Sequence, residues 1–325
     1  MYNLAVIGAG QIGSRHLQAL AKLDLPLELY VIDPSVDSLE VARQRYSELE
    51  INPMIKAVRF NTTLEGLPSR LDYVIISTSS KIRLSVLRSL LESHEINALL
   101  LEKILYTRLQ DYLEAEALLN KNCVKTWVNC TRRAFPSYRA LKQMLRGQLI
   151  VDFQVHGGEW GIGCNAIHYI DLLAYISPGA TLVELNTDTL DAGCIPSKRN
   201  SFVEFTGTCN GRMSNGAFFT LTAVRGSTLR SLIRIRTEKC TMIVDEAAKT
   251  LLSFNDEEKR WHQQYFDVPL TSESMTLVAT EILLHGTSHL ATHTESVALH
   301  TPFLKGLLRH IGEDDKNLLA ECLIT

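Results

Sequence analysis

The sequence predicts an α/β chain in two parts: a doubly wound parallel sheet, then a large open sheet, mostly antiparallel and flanked by helices. Three observations predict it. Apolar runs alternate with helical patterns through the first half, which implies parallel strands joined by covering helices. The strands of that half are continuously apolar, as burial on both faces demands. In the second half, strand-like runs follow one another with turn residues between them, the pattern of an antiparallel sheet. The 325 residues, 46% of them hydrophobic, suffice for about two domains with sizeable cores.

Element by element, "NLAVIGAG" reads as the first strand and residues 11–23 as the helix after it. "LELYVIDP" is a second strand, followed by a helix at 35–49. "KAVRF" is a short strand, "LDYVIISTSS" a long buried one, and 81–94 another helix. "NALLLEKIL" and "CVKTWVNC" complete the parallel set, with a helix across 107–120 between them. After a helix at 136–147 come "LIVDFQVHGGEW", "TLVELNTDTL", "SFVEFTGTC", "GAFFTLTAV", "RSLIRIRTEKCTMIVDE" and "TLLSFN". Cys209-Asn210-Gly211 and Asn215-Gly216 read as turns among them. Helices at 165–176, 273–285 and 295–311 flank this sheet. The expected division is 1–125 for the first domain and 126–325 for the second.

Charge and cysteine usage narrow the function classes. The net charge is −3 with mixed signs along the chain, so neither a nucleic-acid footprint nor a basic membrane anchor is expected. The first residues lack the cationic and apolar segments of a leader, and no apolar run approaches the roughly 20 residues of a membrane span. Seven cysteines form no C-x-x-C pair, which fits reduced thiols. The expectation is a cytoplasmic protein.

The first turn carries the clearest functional signal. Gly8-Ala9-Gly10-Gln11-Ile12-Gly13 lies between a predicted strand and a predicted helix. The first glycine permits the tight turn, the second lets backbone approach a pyrophosphate, and the third allows close helix packing. The helix N-terminus stabilises the phosphate charge. Asp33 ends the second strand, 20 residues after Gly13, where a carboxylate binds a ribose 2′-hydroxyl. An acid there repels a 2′-phosphate, and Pro34-Ser35 supply no arginine, so NAD is favoured over NADP.

Taken together, the chain resembles the glucose–fructose oxidoreductase/inositol dehydrogenase (Gfo/Idh/MocA) family over essentially its whole length. "GAGQIGSRH", "IISTSS", "LLLEKI", "RRAFPSY", "GCNAIHYIDLL" and "SHLATHTESVALHTPFLKGLL" carry the resemblance, in that order. It implies a Rossmann domain followed by a domain with a large open sheet. It places Thr78, Ser79, Ser80, Glu102 and Lys103 beside the cofactor, alongside Gly8, Gly10, Gln11, Ile12, Gly13 and Asp33. Lys103 would polarise a substrate oxygen as hydride moves, and His168 would be the general acid/base.

Two positions depart from the family pattern. Cys164 stands where the family carries an aspartate four residues before the histidine, one helical turn away on the same face. Asn165 is rotated from it by about 100° and cannot simply replace that aspartate. Ile104 stands where a proline usually follows the lysine. Cys164 admits three readings: a plain small helix residue, a pocket-shaping residue together with Asn165, or a thiolate favoured by a helix N-terminus. Asp171 shares part of the His168 face and reads first as a structural hydrogen-bonding residue. Arg132 and Arg133 read either as surface ion-pairing residues or as binders of a substrate carboxylate or phosphate, and Arg133 is the substrate candidate of the two.

No metal site is expected. His285, His289 and His293 are spaced four apart, but Gly286 reads as a helix stop and Thr292–Glu295 as a capping box that starts a new helix. The expected function is hydride transfer to or from a sugar, sugar acid or nucleotide sugar. The alternatives are a lyase or glycosidase that recycles bound NAD, and a non-catalytic NAD-binding sensor. A homo-oligomer, dimer or tetramer, is the implied assembly.

Overall fold

A computed structural model of the chain describes residues 1–255 and 258–325. The first elements are β1 (Tyr2–Ile7), α1 (Gln11–Leu20), β2 (Leu27–Ile32), α2 (Val36–Ser47) and β3 (Ile55–Asn61). Then come β4 (Arg70–Leu71), β5 (Tyr73–Ile76), α3 (Ser80–Ser93), β6 (Glu95–Ile96), β7 (Ala98–Leu101), α4 (Leu109–Lys121) and β8 (Lys125–Val128). After α5 (Pro136–Met144) follow β9 (Ile150–Gly157), α6 (Ile162–Ile176), β10 (Leu182–Asn186), β11 (Ile195–Pro196), β12 (Val203–Glu204), β13 (Gly207–Met213) and β14 (Phe218–Ala223). The chain continues through β15 (Leu232–Thr237), β16 (Thr241–Asp245), β17 (Thr250–Asn255), β18 (Arg260–Tyr265), α7 (Thr271–His285), β19 (Ala291–Thr292) and α8 (His293–His310).

Two compact units divide these elements. The first holds residues 1–106, 111–134 and 269–294; the second holds 107–110, 135–268 and 295–325. In the first unit six strands run parallel in the order β8-β7-β5-β1-β2-β3, and β19 joins β8 antiparallel at one edge. Chain direction across the sheet reverses between β1 and β5. Loops leaving those two strands diverge there, at the carboxyl ends where ligands of such sheets bind. Every residue of β5 and β7 is buried, as strands covered on both faces require. Ser35 caps α2, its hydroxyl accepting from Ser38 N–H at 3.2 Å.

The contiguous division expected at 125/126 differs from this arrangement. Helix α7, far along the chain, belongs to the first unit. Its Met275, Val278, Ala279 and Ile282 are buried in one cluster with Leu17, Leu20, Tyr73 and Leu100. Thr276 Oγ1 donates to the Ala19 carbonyl at 2.9 Å. Burying each larger apolar side chain contributes about 1.5–3 kcal/mol, so the helix goes where the α1 face is left uncovered.

The second unit is built on an eight-stranded sheet in the order β10-β13-β14-β9-β15-β16-β17-β18. All neighbours are antiparallel except β9 and β14, which run parallel. One face alternates into the core through Phe153, Phe219, Leu221, Ile233, Ile235 and Val244, while β18 at the edge is exposed along nearly all its length. Cys209-Asn210-Gly211, read as a turn, lies inside β13. A Cβ on Gly211 would sit 2.5 Å from both the Glu184 carbonyl and the Phe219 ring, so the glycine serves close strand packing. The run "RSLIRIRTEKCTMIVDE" is a hairpin, β15 and β16, and β18 is a further strand beyond "TLLSFN", which forms β17.

Candidate functional site

In the first unit the Gly8–Gly13 turn joins β1 to α1. Gly8 has φ +95°, and a Cβ there would lie 2.9 Å from the Thr78 backbone nitrogen. A Cβ on Gly13 would lie 1.7 Å from the Gly8 carbonyl oxygen, whereas one on Gly10 would meet nothing within 4 Å. The two outer glycines are therefore required by the protein's own packing, and the middle one leaves the N-terminus of α1 open to an incoming group.

Asp33, at the end of β2, is tied to this turn. Its Oδ2 accepts from Ala9 N–H at 2.7 Å and its Oδ1 from Ser35 N–H at 2.9 Å. A cavity of about 470 Å³ lies here, with Gly8, Gly10, Asp33, Pro34, Thr78 and Ser79 among its lining residues. Thr78 and Ser79 form the connection from β5 to α3, Ser79 stands at the helix N-cap position, and Ser80 is the buried first residue of α3. Ser77 Oγ donates to the Gly8 carbonyl at 2.7 Å, which links the two loops. Gln11 and Ile12 open α1, Gln11 exposed and Ile12 half-buried. Arg45, on α2 and unremarked in the sequence, donates to Gln11 Oε1 and Ser14 Oγ, both at 2.5 Å.

Lys103 follows β7 and is half-buried, while Glu102 before it is buried. The Glu102 Oε1 atom accepts from Asn129 Nδ2 at 2.6 Å and bonds His16 Nε2 at 2.7 Å. Burial pushes the Glu102 carboxyl upward, but His16, Asn129 and the nearby Lys103 charge together hold it below its ordinary value. The Lys103–Ile104 peptide is cis although no proline stands there. Arg83, buried on α3, donates to the carbonyls of Thr78, Ile104 and Leu105, the last at 2.8 Å. One guanidinium fork thus fixes both loops beside the turn. Sequence reading missed His16, Arg83 and Asn129, and only the histidine of "GAGQIGSRH" gave any signal. Arg132 and Arg133 lie in a short 3-10 turn at Thr131–Ala134, Arg132 half-buried and Arg133 buried.

In the second unit α6 begins at Ile162, earlier than the expected 165, so Cys164 is its third residue and His168 lies one turn further on. Gly161, at the N-cap, has φ +76°. The Glu204 carboxylate from β12 caps this turn, accepting from Cys164 N–H at 3.0 Å. A Cβ on Gly161 would lie 2.9 Å from that carboxyl group, which explains the glycine of "WGIGC". The N-terminal charge of α6 is therefore already met by a carboxylate. Asn165 Nδ2 donates to the Trp160 carbonyl at 2.5 Å, and the Trp160 ring stands edge-on to Tyr169 at 5.3 Å. His168 is half-buried and Asp171 buried. The sequence pattern gave no hint of Glu204.

Of the three spaced histidines, His285 ends α7, His289 lies in the loop beyond and His293 opens α8. Gly286 stops α7 in the left-handed conformation, φ +62°. Among the described residues no three His, Cys, Asp or Glu side chains gather as a metal site, and no helix is long and apolar enough to cross a membrane.

No family model and no curated protein matches the chain. Solved structures do match. An oxidoreductase from Agrobacterium radiobacter, in complex with NAD+, L-tartaric acid and magnesium, is 14% identical with a TM-score of 0.75, covering 98% of this chain and 99% of that one. UDP-N-acetylglucosamine 3-dehydrogenase from Acidithiobacillus ferrooxidans is 14% identical with a TM-score of 0.69, covering 94% and 96%. The WlbA dehydrogenase from Chromobacterium violaceum, in complex with NADH and UDP-GlcNAcA, is 21% identical with a TM-score of 0.69, covering 96% and 94%. The chain shares its fold with these proteins over nearly its whole length.

Proposed function

We propose that this chain is an NAD-dependent oxidoreductase of the Gfo/Idh/MocA type, acting on a sugar, sugar acid or nucleotide sugar. The observation that carries the reading is the Gly8–Gly13 turn with the Asp33 carboxylate strapped to Ala9 N–H beside a cavity of about 470 Å³. The residues present fit a dinucleotide. The space at Gly10 admits a pyrophosphate, and Asp33 retains lone pairs for a ribose hydroxyl while opposing a 2′-phosphate. Three solved proteins with this fold, all named as oxidoreductases or dehydrogenases, support it.

Nicotinamide, when bound, supplies the acceptor or donor of hydride. Lys103 donates from its ammonium to the substrate oxygen, stabilising charge there. His168 takes the hydroxyl proton during oxidation and returns it during reduction. Arg133, Cys164 and Asn165 are proposed substrate contacts, and the assembly is proposed to be a homo-oligomer.

The test is titration with NAD and NADP, then a panel of sugars, sugar acids and nucleotide sugars read at the NADH absorbance band. Tighter NAD than NADP binding, with NADH formed on one substrate class, is expected. His168→Ala and Lys103→Ala should each lower turnover by about 10²–10⁴-fold with NAD affinity intact. Parallel loss of NAD binding refutes their roles.

One observation favours a second reading. Cys164 stands in place of the family aspartate, which a sensor or an enzyme recycling its NAD tolerates. Glu204 weighs against the sensor, because it keeps a carboxylate at that same helical turn. Tight NAD binding with no absorbance change on any substrate would select the second reading.

A further inference from the structure

The resemblance implies that Glu102 stands beside the cofactor; the structure turns it inward. It is 8% exposed, and a lone carboxylate so placed would forfeit most of its hydration. Its neighbours offset that loss. One oxygen, Oε1, is shared by the Nε2–H of His16 at 2.7 Å and the amide of Asn129 at 2.6 Å. His16 Nδ1 is buried with no hydrogen-bond partner, so the ring proton belongs on Nε2, facing Glu102.

We propose that His16 and Asn129 are positioning residues, which hold Glu102 as an internal anion whose charge and place fix Lys103 for the reaction proposed above, on which this inference rests. The three partners come from three elements. His16 lies on α1, the helix that the glycine turn begins, Glu102 and Lys103 follow β7, and Asn129 follows β8. A single carboxylate oxygen therefore ties the phosphate-turn helix to the strand end that carries the lysine. On the other side of Lys103, Arg83 grips the carbonyls of Ile104 and Leu105. The charged and titratable groups around Glu102 are His16 and Lys103, which act on it, and the buried hydroxyl of Tyr73, which burial and then Glu102's charge push upward. Lys103 is the only one of the three that reaches solvent to any extent.

A pair that served folding alone would be replaceable without consequence for Lys103. The test measures acylation of Lys103 by an N-hydroxysuccinimide ester, through peptide mass spectrometry, together with NAD affinity, melting temperature and NADH formation. The proteins are wild type, Glu102→Gln, Glu102→Asp and Asn129→Ala. Removing the carboxylate should loosen the strand end that carries the lysine, so Glu102→Gln raises acylation several-fold, Asn129→Ala raises it less, and Glu102→Asp returns it toward wild type. Turnover should fall by about 10- to 100-fold in Glu102→Gln with KM and NAD affinity unchanged. Equal acylation of wild type and Glu102→Gln overturns the inference, as does a loss of turnover that only tracks melting temperature across the variants. Wild-type protein that forms no NADH on any substrate overturns the proposed function instead, and acylation then decides this inference by itself.

Discussion

The glycine turn makes the sharpest prediction, because its glycines answer to different demands. In Gly13→Ala the new methyl would start 1.7 Å from the Gly8 carbonyl oxygen and 2.7 Å from Ser77 Oγ. The ordinary carbon–oxygen separation is about 3.3 Å, so α1 must retreat from the turn by about 1.5 Å, against backbone that cannot rotate away. Overpacking of that kind costs about 1–3 kcal/mol or more. For a unit of this size the melting temperature should fall by roughly 2–12 °C. Gly10→Ala meets nothing within 4 Å, and only its poorer N-cap preference counts, about 0.5–1 kcal/mol. Yet Gly10 is where a pyrophosphate must approach backbone, so NAD affinity should drop at least about tenfold, or 1.4 kcal/mol. Differential scanning calorimetry and tryptophan-fluorescence titration with NAD separate the two effects. Gly10→Ala that binds NAD like wild type would refute the placement of the dinucleotide, and Gly13→Ala with an unchanged melting temperature would refute the packing argument.

Two further predictions concern the first unit's buried polar groups. Arg83→Met should destabilise by about 3 kcal/mol or more, because three carbonyls lose a charged donor, and Arg83→Lys should recover little, since an ammonium cannot fork across both loops; urea denaturation that shows the two variants equal to wild type would contradict this. His293 is held neutral by burial, its pKa lowered from 6.5 to about 4. Protonation therefore opposes folding, and stability is lost as pH falls from 6.5 toward 4, by roughly 3 kcal/mol across that window. His293→Gln should show a flatter melting-temperature profile between those pH values, and parallel profiles would sink the assignment.

What the sequence by itself determined is what depends on neighbours along the chain. The glycine turn, Asp33 twenty residues on, the continuous apolar strands and the left-handed stop at Gly286 are all set by local backbone and periodicity, and each was legible. The start of α6 was read three residues late, because its cap is not in the local sequence: Glu204 reaches Cys164 from 40 residues away. Tertiary structure alone decided that α7 completes the first unit, since an apolar helix face fits any core and only the uncovered face of α1 selects one. It likewise turned Glu102 inward, toward His16 at a separation of 86 residues. A carboxylate's role follows from which donors surround it and how much water it retains, and no spacing along the chain records either.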